Sequence, residues 1–103
     1  MGILDMLLGK PSKDLENFLS KNPVLLDVRT DSEYRSNNIT GSTHIPLQEL
    51  EFRAKEIKRL NRPVVVFCAS GMRSENATRF LKQLGLEVMN GGGINAVRQA
   101  LKQ

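Results

Sequence analysis

One cysteine, one histidine, one tyrosine and no tryptophan occur in 103 residues. A lone thiol forms no internal disulfide. With His44 as the single imidazole it also builds no cysteine-type zinc site, so no metal is expected. Cys68 is therefore not explained by structural bridging. With aromatic residues at 5%, a core rests mainly on Leu, Ile and Val. Acidic and basic residues nearly balance: the net charge is +4, a weak bias toward small anions and acidic surfaces. Arg53, Lys55, Lys58, Arg59 and Arg62 alternate with Glu51 and Glu56 on a predicted helix, which describes a solvated face. No aromatic stacking platform accompanies them, and no nucleic-acid partner is expected. No apolar run is long enough to span a bilayer. The opening MGILDMLLGK carries Asp5 and no basic leader, a poor match to a signal peptide. Gly2 would suit myristoylation, but Met6 stands where that signal wants Ser or Thr. We read residues 1–11 as a short apolar segment that docks on the domain or on a partner. Residues 12–103 are read as one domain, with the cytoplasm as the expected location.

Helical and strand patterns alternate through that domain. Ser12 can cap a helix carrying the stripe Leu15, Phe18, Leu19, ended by Asn22-Pro23. Val24 to Val28 is a short apolar run suited to a strand buried on both faces. Thr30 and Glu33 have capping-box spacing, which predicts a helix directly after it. STHIP is a short strand stopped by Pro46. Leu47, Leu50, Ala54, Ile57 and Leu60 then recur at helical spacing. Pro63 opens the strongest strand, VVVFC, ending at Cys68. A helix burying Ala77, Phe80, Leu81 and Leu84 follows and stops at Gly85. Leu86 to Asn90 predicts a last strand, Gly91 to Gly93 a turn, and Ile94 to Lys102 a closing helix. Such alternation implies right-handed crossovers and a mostly parallel sheet covered by helices. Reactive groups in such folds lie beyond the carboxyl ends of the strands, where Cys68 stands. Gly91, Gly93 and Ala96 match G-x-G-x-x-A. Only seven residues follow Ala96, so the second strand and acidic residue of a dinucleotide site have no room. Tight backbone packing is the better explanation. His44 is read as a structural or surface residue.

The stretch Cys68-Ala69-Ser70-Gly71-Met72-Arg73-Ser74 must turn sharply from strand to helix. Gly71 can adopt the positive φ that such a turn needs. The amides of the turn and of the first helical turn have no intrahelical acceptor. Wrapped around the sulfur they form an anion nest, reinforced by the helix dipole and by Arg73. All three favour thiolate, taking a thiol from about 8.5 toward the roughly 3.5–7.5 range of reactive cysteines. A nucleophilic Cys68 is better supported than an inert buried one.

The blocks LLDVRTDSEY, GSTHIPL, CASGMRS and GGGINAV, in this order, resemble the rhodanese domain family, specifically its single-domain members, over about residues 12 to 103. The resemblance implies an α/β fold with a central, mostly parallel sheet of about five strands and helices on both faces. It implies a sulfurtransferase without a cofactor. Cys68 would take sulfane sulfur from a donor such as thiosulfate, hold it as a persulfide, and pass it to cyanide or a thiol. The amides of Ala69, Ser70, Gly71, Met72 and Arg73 would cradle that persulfide, and Arg73 would help hold an anionic donor. Ser74, Asp27, Arg29 and Glu33 would support the loop; by charge, Arg29 could pair with Glu33 and Asp27 could brace the loop. Partners would be the small-molecule donor and acceptor, and a sulfur-relay protein is the further candidate. A relay or docking module is the alternative function. The chain departs from the family at Asn37 to Ser42 (NNITGS for GHIPGA) and at Val97, where Trp is common. The family's first strand, sought near Lys10-Pro11, is hard to find. Cysteine phosphatases and arsenate reductases are the rival chemistry. The phosphatases resemble this fold but place five residues between Cys and Arg, whereas four separate Cys68 from Arg73.

Overall fold

Helices and strands alternate along residues 12–102, the part of the chain that the computed structural model describes. The apolar segment 1–11 lies outside those residues. Ser12 caps α1 (Lys13–Leu19), its hydroxyl accepting the Leu15 N–H at 3.0 Å. The chain leaves α1 through Asn22, at φ 56°, and Pro23, which cannot continue a helix. β1 (Val24–Asp27) follows, and then α2 (Asp31–Ser36), held at its start by the expected capping box. The Thr30 hydroxyl accepts the Glu33 N–H at 3.2 Å, and the Glu33 carboxylate accepts the Thr30 N–H at 2.9 Å. β2 (Thr43–His44) is two residues long, and α3 (Leu47–Lys58) starts directly after Pro46. Leu50, Ala54 and Ile57 face inward as their spacing predicts; Leu60 falls beyond the helix end and is 44% exposed. The remaining elements are β3 (Val64–Cys68), α4 (Met72–Gln83), β4 (Val88–Gly93) and α5 (Ile94–Leu101).

The strands form one parallel sheet in the order β2-β1-β3-β4. Four strands are present among the described residues, against the five expected. The position searched for the other, near Lys10-Pro11, falls outside them. β3 is central, and all five of its residues are buried. Alternation along a strand sends neighbours to opposite faces, so this one run builds both halves of the core. Val64, Val66 and Cys68 pack with Leu26, Leu50, Ile57, Ala77 and Leu81 under α3 and α4. Val65 and Phe67 pack with Leu15, Ile39, Ile94 and Val97 under α1 and α5. Each Val, Leu, Ile or Phe among them contributes roughly 1.5–3 kcal/mol by leaving water. Among the described residues, no helix is long and apolar enough to cross a membrane.

The glycine run differs from expectation. Gly91 to Gly93 is the end of β4 rather than a turn, with a register shift against Val66 and Phe67. The expected close packing is present and explains the composition. A Cβ on Gly91 would stand 2.7 Å from Val65 Cγ1 and 2.9 Å from Val97 Cγ2. Strand β4 thus continues alongside β3 because its glycines let α5 lie close, and Val97 fills the position where the family commonly carries Trp.

Candidate active site

β3 ends at Cys68, opposite Gly93 of β4. The chain then reverses through Gly71, at φ +101° and ψ −10°, and enters α4 at Met72. That reversal points backbone donors at the sulfur. The Gly71 N–H lies 3.0 Å from Sγ and the Ser74 N–H 3.4 Å, with the Ser74 hydroxyl oxygen at 3.4 Å. Burial pushes the thiol up. The Ser74 hydroxyl and the amides of Ser74, Gly71 and Ser70 together outweigh it, so Cys68 lies below its ordinary value. Ser74, expected only as support, is a direct donor, whereas the amides of Ala69, Met72 and Arg73 make no hydrogen bond to Sγ. Helical geometry explains this: at the start of α4 an amide reaches back to the sulfur only where the turn aims it inward. Cys68 is fully enclosed, and the loop over it is exposed at Ala69, Ser70 and Met72.

β4 forms the wall behind the loop. A Cβ on Gly93 would stand 2.7 Å from the Ala69 carbonyl oxygen, and one on Gly71 would stand 3.3 Å from Gly92 Cα. Asn90, which the sequence did not single out, ties the wall to the loop. Its side-chain amide donates to the Gly71 carbonyl at 3.2 Å, and its Oδ1 accepts the Gly92 N–H at 2.9 Å and the Ser74 hydroxyl at 2.6 Å. The one available signal was its place at the carboxyl end of a strand, just before three glycines.

The charged residues pair differently from the expectation. Arg29 does not bind the Glu33 carboxylate. Its guanidinium takes Asp27 (Nη2 to Oδ2 2.7 Å, Nε to both oxygens 3.0 Å), and both residues are buried. Two residues apart at a strand end, their side chains fall on one side, so the nearer carboxylate wins. Arg29 also donates to the Glu33 and Asn37 carbonyls, fastening the end of α2. Asp27 is occupied by the Arg29 side chain and amide, and makes no hydrogen bond to the loop. Glu33 instead takes Arg73 through two parallel bonds of 2.7 and 3.0 Å. The Arg73 guanidinium and the Thr30 amide hold the Glu33 carboxyl down at about 2, against an ordinary 4.5. Arg73, expected to face a donor, thus has a carboxylate partner on α2. His44 is structural: its Nε2 bonds to the Arg29 carbonyl at 2.8 Å, and its ring stacks on Tyr34 at 4.3 Å.

Two open clefts meet at Arg73. One, of about 450 Å³, is lined by Thr30, Asp31, Arg35, Leu47 and Glu49. The other, of about 600 Å³, is lined by Gly71, Met72, Arg79 and Asn90. Together the loop offers an enclosed sulfur with converging donors, an adjacent arginine, and room for a reactant on either side of that arginine.

Comparison with known proteins places this arrangement. The chain is 32% identical over 74 residues to the thiosulfate sulfurtransferase PspE of Escherichia coli, covering 70% of this chain and 71% of that protein. It is 44% identical over 63 residues to YrkF of Bacillus subtilis, whose name describes a sulfur carrier, covering 61% of this chain and 34% of that protein. The chain likewise spans 31% and 48% of the length of two further curated relatives. A crystal structure of a rhodanese-related protein from Thermoplasma volcanium superposes with a TM-score of 0.71 at 36% identity, covering 84% of this chain and 85% of that one. The family model of the rhodanese-like domain matches residues 12–100, from the cap of α1 into α5 with the whole Cys68 loop inside the match, and the chain belongs to that family.

Proposed function

We propose that this domain, residues 12–103, is a sulfurtransferase that carries sulfane sulfur on Cys68. The carrying observation is the convergence of the Gly71 and Ser74 amides on one enclosed sulfur. Fixed donors aimed at a charged atom stabilise it without reorganisation. The Cys68 thiolate attacks the outer sulfur of a donor such as thiosulfate. The new S–S bond forms as the old one breaks, and sulfite leaves with the electron pair. An acceptor thiolate or cyanide then attacks the outer sulfur of the persulfide, and the Cys68 thiolate departs with its electrons. No cofactor enters this cycle. A thiol used in this way stays reduced in the cytoplasm, where we place the protein. The names of PspE and YrkF support the same reading, the first as an enzyme and the second as a carrier.

In the proposed cycle the loop gives way to the reactant, since Cys68 is enclosed. Arg73 then meets the anionic donor in competition with Glu33. Whether the acceptor is a small thiol or a relay protein is decided by the exposed rim, where Met72 is 79% accessible.

Intact mass measured after thiosulfate treatment tests the proposal. One added sulfur atom, absent in Cys68→Ser, is expected. No uptake from thiosulfate or from a persulfide donor would favour a docking module. Steady hydrolysis of an aryl phosphate without sulfur uptake would favour phosphatase chemistry instead.

A further inference from the structure

The Asn90 carboxamide lies between partners of fixed polarity. The Gly92 N–H can only donate, and it lies 2.9 Å from Oδ1. The Gly71 carbonyl can only accept, and it lies 3.2 Å from Nδ2. These two contacts settle which end of the amide is oxygen. The Ser74 hydroxyl oxygen is 2.6 Å from that same Oδ1. A carboxamide oxygen only accepts, so Ser74 is the donor there. A serine hydroxyl has one proton. Two other acceptors stand within reach of it, the Gly71 carbonyl at 3.1 Å and Cys68 Sγ at 3.4 Å. With its proton on Asn90, the Ser74 oxygen presents lone pairs to the sulfur. In that position it accepts from an S–H and does not donate to a thiolate.

We propose that Asn90 is a positioning residue that holds the Ser74 proton away from Cys68 while the sulfur is a thiol, and yields it to the sulfur when a thiolate forms. The Ser74 hydroxyl is then a two-position switch. One position satisfies Asn90, the other satisfies the charged sulfur, and a rotation about one bond separates them. The amides of Gly71 and Ser74 donate in both states, so the switch modulates the nest without building it. The charged side chains around the loop are Arg73 of α4, bound to Glu33 of α2, Asp27 of β1, bound to Arg29, and Glu75 and Arg79 of α4, which line the cleft beside Asn90. None of them contacts Asn90 or the Ser74 hydroxyl by hydrogen bond. The inference rests on Cys68 being a reactive thiol, as the proposed function also does, but its test reads ionisation rather than sulfur transfer, so the two fail separately.

The test is a double-mutant cycle on the ionisation of Cys68, followed by the pH dependence of iodoacetamide alkylation. In the parent protein the hydroxyl reaches the thiolate only by giving up its bond to Asn90, so Ser74→Ala changes the thiolate-to-thiol ratio at neutral pH by less than about threefold. In Asn90→Leu the hydroxyl is free to face the sulfur, and Ser74→Ala lowers that ratio by a further factor of about three to ten. Asn90→Asp is the control: it keeps an oxygen for Ser74 and Gly92 but loses the tether to Gly71. There the effect of Ser74→Ala remains as small as in the parent. If Asn90→Leu does not fold, Asn90→Ala deletes the same acceptor. Additive effects of Ser74→Ala and Asn90→Leu, or an Asn90→Asp cycle that matches Asn90→Leu, would overturn the proposal, because Asn90 would then act only by holding the loop in place.

Discussion

Alanine at position 71 would have to sit at φ +101° and ψ −10°. A side chain in left-handed backbone costs about 1–2 kcal/mol. At +101° the residue lies outside the region near +50 to +70° that L residues tolerate, which argues for the upper half of that range. The new Cβ would also stand 3.3 Å from Gly92 Cα and 3.6 Å from the Gly92 carbonyl carbon. Both are backbone atoms of the paired strand β4 and cannot swing aside. The loop must therefore retreat by a few tenths of an ångström. Strain and contact together come to about 2 kcal/mol. In a domain of this size that lowers the melting temperature by about 8–16 °C. Retreat of the loop also lengthens the 3.0 Å bond from the Gly71 N–H to Sγ, which moves the thiol back up. Denaturant titration and the pH profile of Cys68 alkylation measure the two effects on one preparation. Stability within about 0.3 kcal/mol of the parent would refute the left-handed turn. A large loss of stability with an unchanged alkylation profile would show that the Gly71 amide is not what holds the thiolate.

Glu33→Gln retains the capping box, since glutamine serves at that position, and removes the charge opposite Arg73. Use of thiosulfate, as kcat/KM, should rise by about twofold to fivefold as Arg73 is freed for the donor; no rise would remove Arg73 from donor binding. The same pair sets an acid limit. The Glu33 carboxyl is depressed from 4.5 to about 2, so its contribution is complete above about pH 4.5 and is lost as pH falls toward 2. Being about a third exposed, the pair contributes about 1 kcal/mol or less. The urea midpoints of the parent and Glu33→Gln should therefore differ at pH 6 and converge near pH 2; a constant gap would contradict the assignment. Asp27→Ala leaves the Arg29 guanidinium buried without its carboxylate, and should cost about 3–5 kcal/mol by denaturant titration. A loss under 1 kcal/mol would mean that the Glu33 and Asn37 carbonyls suffice to hold Arg29.

The parts of this fold governed by local chemistry were legible in the sequence. Ser12, and Thr30 with Glu33, mark helix starts because capping depends only on residues a few positions apart. Val64 to Cys68 reads as a central strand because five successive apolar residues need cover on both faces. The position of Cys68 at that strand's carboxyl end, and the left-handed Gly71, followed from the same run. What depended on register between distant strands was not legible. Asn90 pairs with Val66 just before β4 slips by a residue and reaches Ser74 across the sheet end, and nothing in a single chain announces that register. Ion-pair partners were assigned by charge, but distance decides them. Arg29 met the nearer Asp27, which left Glu33 for Arg73, forty residues away. Gly91 to Gly93 was read as a turn because glycine marks turns and close approach equally well, and only the Val65 and Val97 methyl groups distinguish the two.

Cys68 follows Val64 and Val66 on the face of β3 that Ala77 and Leu81 of α4 cover. Cys68 is thus the topmost stone of an apolar column that runs down through the middle of the molecule. Any substitution that slackens α4 anywhere along its length will be felt as a change in how readily the sulfur is labelled, well before the domain melts. One thiol in the whole chain makes that labelling unambiguous, so the protein carries its own gauge of interior tightness.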